Sequence, residues 1–182
     1  MSEKKIEYLL FLLTIGFLTI SLAGIMRNRK KTSLIGGFKT SVKGLDNIKA
    51  SIQSVKNRYG IETARWVERI YRLETRNFKS GQFIQTGSAG MEKHSNSYPY
   101  GWTTPAILWD ERPDFRPVGF IKMNENGTGI GKEFLIFPSV EAAMLSLGEY
   151  VKKYGPGRWY SINELDQIAY VEKLLKFDTS LV

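Results

Sequence analysis

Residues 8–26 contain no charged side chain, and this run limits what the chain can become more than any other part of it. It covers 19 residues between Glu7 and Arg27, dominated by Leu, Ile, Phe and Gly. As a helix it would be about 28 Å long, close to the hydrocarbon thickness of a bilayer. Thr14, Thr19 and Ser21 can bond back to helix carbonyls, so their hydroxyls do not spoil the pattern. The expectation is one N-terminal transmembrane helix, with the lipid bilayer as partner through residues 8–26. A cleaved signal peptide is the rival, with Ser21-Leu22-Ala23 as a small-residue exit site; continuation of the apolar run to Met26 favours a retained anchor. Arg27, Arg29, Lys30 and Lys31 close the run, against Lys4 and Lys5 before it. The positive-inside rule then places the C-terminal part in the cytoplasm.

The chain therefore divides into residues 1–31, an anchor with a basic flank; 32–44, a linker carrying Ser33, Gly36, Gly37, Thr40, Ser41 and Gly44; and 45–182, one folded domain. The formal charge is +8, and without residues 1–31 there remain 20 basic and 16 acidic residues, a net +4. That excess suits an anionic polymer or a lipid surface. No clustered basic face or stacking motif accompanies it, so no nucleic-acid partner is expected. There is no cysteine, and His94 is the single histidine. Disulfides and thiolate metal sites are excluded, a protein-built zinc site is not expected, and no cofactor is called for. The oligomeric state is left open.

Within the domain, Ile48, Ile52, Val55 and Tyr59 recur at helical spacing until Gly60, and a second helix spans roughly 62–75. Residues 76–117 are rich in Gly, Ser, Asn and Pro and read as irregular; a loop this long is usually functional or conceals short strands. Runs at 118–123 and 132–137, joined through Asn126-Gly127, read as a β-hairpin. Ser139 is placed to cap a helix over 140–154 with Ala143, Leu147 and Val151 on its buried side, stopped by Gly155-Pro156-Gly157. Ser161-Ile162-Asn163-Glu164 has the form of a capping box opening a last helix to about Phe177, with Leu165, Ile168, Ala169, Leu174 and Leu175 apolar. The class is α+β, mainly helical with a small β-hairpin lobe, and a cleft between the two parts is a natural site.

Val67, Ile70, Tyr71 and Glu74 follow the i, i+3, i+4, i+7 spacing of one helical face. A carboxylate thus ends an apolar stripe where the chain turns into a Ser/Gly/Asn loop. An acid held against apolar surface resists ionisation and can deliver a proton to a leaving oxygen.

Five pieces, in order, resemble the lysozyme-like superfamily of peptidoglycan-cleaving enzymes, in the branch with flagellar-type and autolysin-type glucosaminidases and small phage enzymes. Tyr59-Gly60-Ile61 resembles the Tyr-Gly-Ile before the family's catalytic helix, and Leu73-Glu74-Thr75-x-x-Phe78-x-Ser80 its Leu-Glu-Thr/Ser signature. Gly90-Met91 resembles the pair opening the second half of the cleft. Phe137-x-Ser139-Val140-Glu141, with Leu147 and Tyr150, is similar to a later helix, and Tyr170-Val171-Glu172-Lys173-Leu174-Leu175 to the closing Tyr-Ala-x-Lys-Leu segment. The family's Tyr-Ala-Thr-Asp stretch is not matched; Asn163-Glu164-Leu165-Asp166 stands there.

The resemblance implies a lysozyme-like fold and cleavage of peptidoglycan glycan strands, with Glu74 as general acid. A hydrolase also needs a second carboxylate about 5 to 9.5 Å away; Glu92, Asp110, Glu111, Asp114 and Glu125 are candidates and no motif selects among them. A lytic transglycosylase needs none, and is the first expectation. A glucosaminidase or muramidase of the same fold, or a non-catalytic glycan-binding structural protein, are the alternatives. Ser80, Gln82, Tyr98, Tyr100, Trp102 and Tyr170 are expected to touch substrate, with Trp109 and Trp159 as further flat faces for sugar rings. The competing roles are a simple turn for Ser80 and Gln82 and core packing for the aromatics. Asn77 is placed to orient the acid, and His94 reads as an exposed loop histidine. Basic residues after an anchor conflict with a wall substrate; an internal membrane of a phage virion, or a bacterial inner membrane facing the wall, are the two locations expected.

Overall fold

The computed structural model describes residues 44–124 and 131–182. The expected anchor at 8–26, most of the linker, Glu125 and the Asn126-Gly127 turn lie outside them. Among the described residues no helix is long and apolar enough to cross a membrane.

Three helices build the core. Helix α1 (Gly44–Tyr59) buries Ile48, Ile52 and Val55, the residues its spacing selects. Gly60 follows at φ +93°, a conformation costly for any side chain, and lets the chain reverse at once into α2 (Ile61–Glu74). Helix α2 buries Ala64, Val67, Ile70 and Tyr71. Both pack on α5 (Val140–Tyr154). Ser139 Oγ accepts from Ala142 N at 3.0 Å, as a cap should, and Gly155 (φ +83°) ends the helix. Every residue from Ala142 to Gly148 is buried, so α5 is the central strut rather than a one-faced surface helix.

Residues 76–117 are not one loop. They hold two helices too short to show a period, α3 (Gly81–Thr86) and α4 (Ala106–Glu111), and a 3-10 turn over Pro113–Phe115. Strands β1 (Gly119–Asn124) and β2 (Gly131–Ile136) pair antiparallel with Gly119 opposite Ile136 and Asn124 opposite Gly131. An isolated bridge between Glu92 and Phe134 adds a third rung on the far side of β2. The fold is α+β, a helical body with a two-stranded lobe.

The end of the chain departs from expectation. Helix α6 (Glu164–Leu174) is capped by Asn163, whose side chain accepts from Asp166 N, not by the Ser161 box. Ser161 Oγ instead accepts from Asn163 N at 3.0 Å and meets Asp166 at 3.1 Å, one residue out of register for a box. Of the apolar residues expected on this helix, Leu174 is buried while Leu165, Ile168 and Leu175 are exposed; Tyr170 supplies the other buried contact. The helix ends at Leu174, three residues short of Phe177.

Candidate active site

Helix α2 delivers Glu74 to its C-terminal end, and the next turn fixes what surrounds it. Thr75 Oγ1 donates to Tyr71 O and accepts from Phe78 N, closing the helix on itself. Arg76, Asn77 and Phe78 then all take positive φ, at 52°, 55° and 65°. Each such non-glycine residue costs roughly 1–2 kcal/mol, and the turn persists because Phe78 is drawn into the core. Its ring meets Tyr71 at 6.2 Å and Phe83 at 5.9 Å, and Tyr71 packs edge-on to Phe83 at 5.9 Å. Ser80 caps α3 by accepting from Phe83 N at 3.2 Å.

This turn forms one wall of a cleft of about 730 Å³ between the helical body and the β lobe. Glu74, Arg76, Lys79, Ser80 and Gln82 line one side; Glu92, His94, Trp102, Lys132 and Phe134 line the other, with Trp159 and Tyr160 from the segment before α6. Glu74 is exposed towards the cleft at the end of the apolar stripe. Its Oε1 accepts from the Tyr170 hydroxyl at 2.7 Å. Crowding by the cleft walls raises the Glu74 pKa above the usual carboxylate value; the Tyr170 hydrogen bond acts in the opposite direction and is the weaker effect.

Tyr170, expected to touch substrate, is 2% exposed and is not among the residues that line the cleft; it meets Glu74 from behind. Its ring stacks on Tyr160 at 4.9 Å and 6°, and burial with the neighbouring Glu74 carboxylate pushes its own pKa up. Asn77 does not reach Glu74; its Oδ1 accepts from Arg72 Nη1 at 3.4 Å, because the left-handed turn swings it the other way. Gln82 lies beside Gly90, where an added Cβ would fall 3.3 Å from Gln82 Nε2.

Among the expected sugar faces, Trp102 and Trp159 are in the cleft, stacked at 6.0 Å and 28°. Trp102 Nε1 donates to Glu92 O at 2.7 Å, and its ring meets His94 at 5.5 Å, tilted by 37°. Tyr98 and Tyr100 are outside the cleft: they pack on each other at 6.1 Å, and Tyr98 continues to Trp109 and lies under the Arg116 guanidinium. Trp109 is fully buried, with Nε1 donating to Ser146 Oγ at 2.9 Å, so its role is packing.

The candidate second carboxylates also sort themselves. Asp110, Glu111 and Asp114 are exposed outside the cleft and pair with Arg116, Arg58 and Arg112. Glu92 is the one candidate among the described residues that lines the cleft, where it pairs with Lys132 at 2.8 Å. Among the described residues no group of His, Asp and Glu is placed to hold a metal ion. Arg76, Lys79 and the Tyr160–Tyr170 stack were not foreseen. The two cations follow the Leu-Glu-Thr motif within four residues, which is the signal that would have found them; the stack has no local signal.

No protein-family model matches the chain, and neither a curated protein nor a solved structure is significantly similar to it.

Proposed function

We propose that this chain is a membrane-anchored lytic transglycosylase of lysozyme-like type that cleaves the glycan strands of bacterial peptidoglycan. One observation carries the reading: Glu74, free of any ion pair among the described residues, faces a sugar-sized cleft while a buried tyrosine fixes one of its oxygens. A strand of N-acetylated sugars lies along the cleft with Trp102 and Trp159 against its rings. Protonated Glu74 gives its proton to the glycosidic oxygen as the bond from that oxygen to the anomeric carbon breaks. A hydroxyl of the same sugar then attacks the anomeric carbon, and the Glu74 carboxylate takes the hydroxyl proton. An anhydro ring forms, the acid is regenerated and no water is consumed.

The location of Glu92 in the same cleft favours a second reading, a hydrolase in which that carboxylate activates water or attacks carbon. Its Lys132 partner would first have to release it, so the single-acid route ranks above. The apolar run at 8–26 supports attachment to a membrane, in a phage virion or facing the bacterial wall.

Purified protein incubated with sacculi, followed by mass analysis of soluble fragments, tests both. Anhydro ends are expected; reducing ends would replace the first reading by the second. Glu74→Gln should lower the rate by roughly 10²–10⁴-fold, and clearing at the unsubstituted rate would remove Glu74 from this role.

A further inference from the structure

We propose that Arg76 and Lys79 form a carboxylate-binding subsite that selects glycan strands carrying acidic substituents over neutral ones. The proposal rests on the glycan-cleaving reading and adds what kind of glycan the cleft takes. Both side chains line the same wall as Glu74. Neither has an ion-pair or hydrogen-bond partner among the described residues, whereas Arg72, one turn earlier, is tied to Glu68, and Lys132 across the cleft is tied to Glu92. Glu92 and Lys132 cancel each other, and Glu74 in its acid form is neutral. Among the described residues that line it, the cleft is therefore left with the positive charge of Arg76 and Lys79.

The backbone reinforces the point. Arg76 stands in the left-handed region, where glycine or asparagine would fit with less strain, and a long cation is kept there facing the cleft. A neutral N-acetylated sugar presents hydroxyls and amides, which need neither a guanidinium nor an ammonium. A carboxylate uses both: the guanidinium takes its two oxygens side by side, and the ammonium adds a point charge. Two sources of that chemistry occur on such strands, an acid ether-linked to the sugar itself and the peptide appended to it.

The test measures dissociation constants for the full chain in detergent, in the Glu74→Gln background so that strands are not consumed. Three probes are compared: a neutral N-acetylglucosamine oligomer, strands stripped of peptide, and peptide-bearing strands. Acidic strands should bind about tenfold more tightly than the neutral oligomer, the sum of two partly exposed charge contacts. That ratio should collapse towards one in Arg76→Gln/Lys79→Gln and at high salt, and return in Arg76→Lys/Lys79→Arg. An advantage kept by stripped strands assigns the sugar-borne acid; one confined to peptide-bearing strands assigns the peptide. Equal binding of all three probes, or a preference that survives both substitutions, overturns the proposal. Thermal unfolding of each variant confirms the fold, and Lys79→Gln alone serves where the double variant does not fold. Turnover is read separately on the unsubstituted chain, so failure to cleave any strand removes the glycan-cleaving reading while the binding ratio still judges the subsite.

Discussion

A residue 96 positions away in the chain helps decide how Glu74 behaves. The Tyr170 hydroxyl donates to Oε1 and so favours the ionised form, while the cleft walls favour the protonated form and prevail. On the proposed function Glu74 is a general acid, which works below its pKa, so activity should fall as pH rises through the raised Glu74 value. In Tyr170→Phe the hydrogen bond that holds that value down is gone, and the alkaline limb of kcat/KM should move to higher pH. The rate on the acid side should drop as well, because the carboxyl loses the contact that fixes its rotamer. A pH–rate profile of the variant checks both. A limb that stays in place would show that Tyr170 has no hold on the acid, and one that moves down that the hydroxyl favours the protonated form. The ring remains buried and stacked in this variant, so stability should change by only about 1 kcal/mol.

At the scale of elements, the crossing of α1 and α5 depends on Gly148. A Cβ there would lie 2.8 Å from Tyr59 Cδ2 and 3.1 Å from Val55 Cγ1. Two effects compete in Gly148→Ala: helix propensity favours alanine by about 1 kcal/mol, and overpacking costs about 1–3 kcal/mol. The Tyr59 ring is tethered by Arg58 and Glu149 and cannot swing away cheaply, so overpacking wins. The variant should lose about 1 kcal/mol in urea unfolding, and Gly148→Leu about 3 kcal/mol; a more stable alanine variant would mean that the helices part at little cost. The same comparison explains what the sequence disclosed. Helices α1, α2 and α5 were legible because each runs three turns or more with a buried stripe, and the Ser139 cap because its partner is three residues away. Helices α3 and α4 were not, since six residues give no period. On α6 the apolar residues pointed the wrong way: Leu165 and Ile168 are exposed, and burial belongs to Tyr170 and Leu174. The site divides likewise. Glu74 and Ser80 were readable from local spacing, whereas Tyr170 behind the acid, and the removal of Tyr98 and Tyr100 from the cleft, depend on contacts between distant segments.

Across the whole molecule, the segment after α6 is what holds Tyr170 in place, and a buried carboxylate anchors it. Glu68 is fully buried on α2; its two oxygens each accept from Leu181 N at 3.2 Å, and Arg72 pairs with it at 2.7 Å. Around this point Gln53 Nε2 donates to Leu181 O and Val182 O, Lys56 Nζ to Val182 O, and Arg69 Nε to Phe177 O. Residues 177–182 are thereby bound to α1 and α2, and α6 is held at both ends. Glu68→Ala should cost about 2–3 kcal/mol, because it leaves Leu181 N without its acceptor and takes from Arg72 its charged partner, leaving it Asn77 and Ser180. A large share of a typical 5–15 kcal/mol of stability would be lost. In Glu68→Leu/Arg72→Leu no charge is stranded, and most of that loss should return even though no ion pair remains. Urea unfolding of both variants and of Arg72→Leu gives the coupling between the two side chains. If Glu68→Ala costs under 1 kcal/mol, or the double variant is no better than Glu68→Ala, then the segment is held by its peripheral bonds and the buried pair is incidental. If the coupling is as expected, the pH–rate limb of Glu68→Ala should also shift in the direction seen for Tyr170→Phe, since loosening the segment frees the tyrosine that grips Glu74.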